Sequence, residues 1–217
     1  MVFMGSQQQL AMTRLGEQIR ERRRALGKTL KDVAGATGLS VGFMSQIERN
    51  QTVPSLSSLG MVAKALQTTI GDLMGQPAQP QADTYHDKRQ PYTLEEGHVS
   101  YERLSSVFRG SRLHSVKFKM PCGYQSETVS HEGEEMVYVL RGQIKYEVAD
   151  KRYLLDEGDS LHFDAKIPHS IAALSHPSGF AEVIWTGTMD LFDGADRGAA
   201  DSESIELIGT EFHALNL

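Results

Sequence analysis

The feature that most constrains this chain is a change of hydrophobic period across one proline- and glutamine-rich stretch, "GQPAQPQADTYHDKRQP", residues 75–91. Ahead of it apolar residues recur at helical spacing, as in Leu15, Ile19 and Leu26, and again in Leu56, Leu59, Val62, Ala63 and Leu66. Behind it they alternate: His114, Val116, Phe118 and Met120 interleave with Ser115, Lys117 and Lys119, and Ile144, Tyr146 and Val148 with Lys145 and Glu147. Helical and strand periods are segregated rather than alternating along the chain, so the reading is an α + β two-domain chain, all-α in front and all-β behind. The expected boundaries are a disordered 1–12, a helical domain over 13–75, a linker over 76–91 and a β domain over 92–217.

Punctuation within the front half divides it into short helices. Gly27 stops the first; Thr29 caps a second that Gly38 ends; Ser40 caps a third over "VGFMSQIER"; "PSLSSLGMVAKAL" forms a longer one with a terminal turn on Ile70 and Leu73. In the third, Leu39, Met44 and Ile47 face inward, which turns Val41, Gly42, Ser45, Gln46 and Arg49 outward. Arg20, Arg22, Arg23 and Arg24 surround the first helix, either as a solvated face or as phosphate contacts. Charge follows the same division. Residues 1–75 hold 9 Lys and Arg against 5 Asp and Glu, leaving 13 against 23 for the remainder of a chain whose formal net charge is −6. A basic module attached to an acidic body suits a front half that meets phosphate and a back half that does not.

Two short helices joined by the tight turn "TGLS" are the geometry that lays the second in a DNA major groove. Through "TLKDVAGATGLSVGFMSQIERNQTVPSLSSLGMVAKAL" the chain resembles the XRE-type helix-turn-helix family, which includes the lambda and Cro-like repressors. That resemblance implies a lambda-repressor-like bundle whose recognition helix is Ser40 to Arg49, with Val41, Gly42, Ser45, Gln46 and Arg49 at base edges or nearby phosphates. Gln46 has the side chain for a bidentate pair with adenine. Thr29, Thr52 and Ser55 fall where helix starts hold phosphates. The implied partner is a pseudo-palindromic double-stranded operator, bound by a homodimer.

In the back half, "SHEGEEMVYVLRG" and "LLDEGDSLHFDAKIPHSI" resemble the paired motifs of the cupin barrel, a double-stranded β-helix. His131, Glu135, Gly142, Gly158 and His169 match the motif positions. Val129 stands where the family's first histidine would be, and Asp164 and Lys166 replace its usual proline and glycine. The resemblance implies either a pocket for a small-molecule effector, such as an amino acid, a polyamine or a related metabolite, lined by Val129, His131, Glu135 and His169, or a divalent metal (Fe, Zn or Ni) on His131, Glu135 and His169; His114, on the apparent inward face with Val116 and Phe118, is a further candidate pocket contact or else a packed histidine. Two imidazoles and one carboxylate suit ferrous iron with open positions. Hydroxypropylphosphonate epoxidases share this two-domain arrangement, so a mononuclear non-haem iron oxygenase or epoxidase is the alternative to a regulator that is not an enzyme. His131 and Glu135, an even number apart, are expected on one face of one strand. Tyr138, Tyr146, Phe163 and Trp185 read as core.

Cys122 is the sole cysteine, which excludes an intrachain disulfide and a CxxC zinc site. No apolar run approaches the ~18 residues of a membrane span, and the expected location is the cytoplasm.

Overall fold

The structure, a computed structural model, describes residues 5–74, 81–89, 91–93, 98–106, 108 and 110–192, with side chains from Leu15 onward. The stretch "SIELIG", which alternates as a strand would, and most of the acidic residues 190–206 lie outside the described residues.

Among the described residues, five helices build the front half: α1 (Gly5–Ala25), α2 (Leu30–Thr37), α3 (Val41–Glu48), α4 (Leu56–Ala65) and α5 (Ile70–Met74). Helix α1 starts at Gly5, ahead of Thr13, where order was expected to begin. Local chemistry sets the other boundaries. Thr29 and Asp32 form a reciprocal capping box at the start of α2, and Gly38 ends it in the left-handed region at φ 71°. Ser40 and Ser55 cap α3 and α4, each side chain accepting a backbone N–H three residues on. Ile19, Val33, Met44, Ile47, Leu59, Val62 and Leu66 close the core.

Of Arg20, Arg22, Arg23 and Arg24 on α1, two are neither a plain solvated face nor free for phosphate. Arg22 donates from Nε to the Leu66 carbonyl (3.0 Å) and from Nη2 to that of Gln67 (2.8 Å), binding the carbonyls that α4 leaves open at its C-terminal end. Arg23 forks onto Glu48 of α3, Nη2 to Oε2 at 2.8 Å and Nε to Oε1, and gives Nη1 to the Lys28 carbonyl at 2.9 Å.

The back half holds β1 (Tyr92–Thr93), β2 (Ser100–Arg103), β3 (His114–Pro121), β4 (Glu134–Arg141), β5 (Ile144–Val148), β6 (Lys151–Leu155), β7 (Ser160–Asp164), β8 (His169–Ala173) and β9 (Phe180–Gly187). They form two antiparallel sheets, ordered β1-β2-β3-β9-β4-β7 and β6-β5-β8. Inward alternation is strict on β9, where Ala181, Val183 and Trp185 are buried, and β5 buries Ile144, Tyr146 and Val148. Gly142, at φ 84°, turns β4 into β5 where a Cβ would stand 2.7 Å from the Phe180 carbonyl oxygen. Asp164 closes the turn into β8 without the expected Pro-Gly pair: its Oδ1 accepts the Lys166 N–H at 3.0 Å and its carbonyl accepts that of Ile167 at 3.1 Å.

The halves pack directly on each other. A strap after β9 runs under α4 and α5: the Ile70 N–H bonds the Leu191 carbonyl at 3.2 Å, and a Cβ on Gly60 would meet Met189 Sδ at 2.9 Å and Leu191 Cδ2 at 3.0 Å. Buried apolar residues of both halves join in one continuous cluster.

Candidate nucleic-acid face and candidate metal centre

On α3 the chain leaves a small-residue face open. Val41, Gly42, Gln46 and Arg49 are exposed and Ser45 half-buried, while Met44 and Ile47 on the opposite side are buried. This arrangement lets the helix backbone approach a groove with Gln46 projecting from it. Arg49 Nε is held on Gln51 Oε1 at 3.0 Å. Thr52 is half-buried beside this face. Thr29 stays exposed, but its hydroxyl both accepts the Asp32 N–H and donates to the Asp32 carboxylate at 2.8 Å. Its first obligation is the α2 cap.

Ser55 departs from its expected role. It is 8% exposed, and its backbone N–H donates to both carboxylate oxygens of Glu127, at 3.1 and 3.2 Å. A carboxylate from the barrel occupies the helix start where a DNA phosphate was expected. Nothing in the local sequence of α4 could have shown this, because Glu127 is brought there by the packing of the two halves.

Inside the barrel, His131, Glu135 and His169 converge, one ligand atom from each lying within 4.8 Å of the others. Glu135 sits on β4 and His169 opens β8. His131, contrary to the shared-strand expectation, lies in the bend ahead of β4, fixed by its N–H to the Ala165 carbonyl at 2.9 Å. Gly133, at φ 107°, lets the chain turn from that bend into β4.

Both imidazoles are keyed to the backbone. Nδ1 of His131 is 3.1 Å from the Glu132 carbonyl oxygen and Nδ1 of His169 is 2.8 Å from that of Ile167. A carbonyl oxygen only accepts, so each Nδ1 carries its proton, and each Nε2 is left either to hold a second proton toward Glu135 or to offer a lone pair to a cation. Those Nε2 atoms stand 2.8 Å and 3.7 Å from the two Glu135 oxygens, and both of them and Glu135 Oε1 are buried without a hydrogen-bond partner. Lone pairs cannot face a carboxylate this closely unless a proton or a cation lies between them. Tyr146 donates its hydroxyl to Glu135 Oε2 at 3.2 Å, an outer support of the kind that orients metal ligands. The donor set and its orphaned atoms therefore fit a divalent cation. Burial by itself pushes the Glu135 carboxyl up, but the two imidazoles outweigh it and hold the group at about 2. Burial disfavours a charged His169, and Glu135 beside it reverses this and raises its pKa.

The triad separates two spaces. On one side is a small cavity of about 30 Å³ walled by Tyr101, Phe118, Tyr124, Val129, Tyr146 and Trp185 with His169. On the other, His131 borders a cleft of about 1380 Å³ between barrel and helices, with Lys64, Arg112 and Lys166 among its lining. Val129, where the family's histidine is replaced, pairs with His169 through reciprocal backbone bonds at 2.9 Å and contributes only a wall. His114 does not reach either space. It is buried at the far end of β3 against the Phe192 ring, with Asp190 3.9 Å away. Tyr138, expected in the core, is 41% exposed on the outer face of β4. Tyr146 and Trp185 are core and cavity wall at once.

An α-helical bundle with a capped second and third helix, joined to a two-sheet barrel with a His-Glu-His cluster, defines a two-domain helix-turn-helix and cupin protein. Residues 19–73 match the helix-turn-helix family and residues 116–180 the cupin domain family. The chain thus pairs an XRE-type helix-turn-helix domain with a cupin domain. It is 25% identical over 181 residues to the HTH-type transcriptional regulator PuuR of Escherichia coli, covering 82% of this chain and 96% of that one. A 43% identity to the HTH-type transcriptional regulator DdrOP3 of Deinococcus deserti covers 61 residues, 28% of this chain and 47% of that relative, about half its length. The crystal structure of an HTH_3 family transcriptional regulator from Vibrio cholerae superposes with a TM-score of 0.55 at 19% identity, over 82% of this chain and 97% of that one, which shows the fold. Hydroxypropylphosphonic acid epoxidase from S. wedmorenis aligns over 80% of this chain and 96% of that one at 24% identity, with a TM-score of 0.42, too low to speak for a shared reaction.

Proposed function

We propose that this protein is a cytoplasmic transcription regulator that reads a pseudo-palindromic operator as a homodimer and is tuned by a small effector in its barrel. The observation that carries this reading is the open face of α3, kept small at Gly42 and Ser45 and armed with Gln46. Full-length relatives named as transcriptional regulators support it. Gln46 acts as the base reader. Arg49 and Thr52 serve phosphates. The barrel contributes differential affinity: whatever occupies it must favour one of two states of the helical domain. The effector belongs to the class of small metabolites, including amino acids and polyamines. For a recovered operator, Gln46→Ala should weaken specific binding by about 1–3 kcal/mol and leave random-sequence binding nearly unchanged. Equal losses on both duplexes would remove α3 as the reader.

A second reading is favoured by one feature, the convergent lone pairs of His131, Glu135 and His169. These residues would hold a divalent cation, and ferrous iron in such a set supplies open positions for a ligand and dioxygen. In this reading the backbone carbonyls fix the two imidazoles, Tyr146 steadies Glu135, and the aromatic wall excludes water. Metal content of the dialysed protein, beside a His131→Ala control, with oxygen consumption measured on the iron-loaded form, separates an iron oxygenase from a regulator.

A further inference from the structure

The barrel cavity is closed by a part of the chain that does not belong to the barrel. Ser55, Leu56 and Ser57, the first turn of α4, complete its lining, with Leu56 buried at 4% exposure among residues that include Tyr101, Tyr124 and Trp185. Glu127 holds that turn in place through both carboxylate oxygens on the Ser55 N–H, and Ser126 beside it is tied to β8 by the Ile171 N–H at 3.1 Å. The remaining space, about 30 Å³, admits on the order of two waters, whereas metabolite pockets measure about 300 Å³ or more.

We infer that the helix-turn-helix domain is the lid of the cupin cavity, and that a small molecule enters only when the first turn of α4 leaves the Glu127 carboxylate. The inference rests on the regulator reading for its consequence, which is direct. Occupancy of the cavity and docking of the DNA-reading domain exclude each other, so the effector acts by displacing the domain rather than through a chain of small shifts in the barrel. Undocking also bares the Ser55 N–H, returning a helix-start anion site to the surface of the domain. The strap at Met189 and Leu191 is the second point of attachment, with Gly60 admitting it because no side chain stands in the way.

Trp185, the only tryptophan, lines the cavity at 4% exposure and reports on the lid without any effector or DNA. Acrylamide quenching of its fluorescence should rise about threefold or more in Glu127→Ala, and likewise in Gly60→Leu, which wedges α4 off the strap. Both variants should keep the circular-dichroism spectrum of the parent. Folded variants quenched no more than the parent would overturn the lid. Should either variant fail to fold, hydrogen exchange at the Ser55 amide of the unaltered chain decides: protection supports the closed turn, and exchange at the rate of an open amide refutes it. Neither readout uses an operator, so failure of the lid and failure of the DNA reading are told apart.

Discussion

Each half of this molecule buries a cluster of opposite charges, and the two clusters have opposite meanings. In the helical domain, Arg23 and Glu48 are paired through two parallel bonds, and the Lys28 carbonyl takes a further guanidinium N–H. In the barrel, His131, Glu135 and His169 are as deeply enclosed, yet three of their atoms lack a hydrogen-bond partner. Burial of charge alone does not mark a site. A satisfied pair is a fastener, while a pair whose lone pairs face one another calls for a guest.

The sharpest way to break this contrast is to empty both clusters. Glu48→Ala strands a buried guanidinium and should cost the protein about 3–5 kcal/mol in chemical denaturation, without changing metal content. A loss under about 1 kcal/mol would show that Arg23 finds water and that the pair is no fastener. On the metal-holding reading, His169→Ala should do the reverse, abolishing stoichiometric metal with a smaller stability loss; metal retained by that variant would place the ion elsewhere.

Titration sharpens the comparison further. Glu135 is held at about 2 against an ordinary 4.5, so in the metal-free protein its contribution is present above about 4.5 and is lost as pH falls toward 2, about 3 kcal/mol in all. His169 is raised above its ordinary 6.5, so its contribution is full below 6.5 and fades as pH rises through the raised value. These are two views of one interaction and do not add. Metal-free barrel should thus be most stable between about 4.5 and 6.5, and added Zn²⁺ should extend that plateau upward by replacing the departing proton. A pH profile of urea midpoints with and without Zn²⁺ tests this, and identical profiles would deny the cluster its guest. The smallest effect is expected at Thr29→Ala, about 1 kcal/mol from loss of the α2 cap, with DNA affinity less affected than by Gln46→Ala.

Patterns with a local cause were legible in the sequence. Thr29, Gly38 and Ser40 mark helix ends through their own backbones, and the alternation of His114, Val116 and Phe118 follows from β3 having one inner face. What depended on distant packing was not. Ser55 meets Glu127 and Arg23 meets Glu48 because the fold assembles them, with no spacing rule in between. His131 reached the triad although it is not on the strand that parity assigned it; the bend before β4, anchored on Ala165, delivers it instead. His114 looked like a pocket residue because inward parity says nothing of position along the barrel axis, and it lies beside the strap rather than the cavity.

The continuous apolar cluster has a consequence for how the chain comes apart. Met189 and Leu191 belong at once to the segment that follows β9 and to the seat of α4, so neither half presents a finished surface where they meet. Melting should then be a single cooperative event, in which heat cannot release the reader and spare the barrel. What heat cannot separate, a guest in the cavity can.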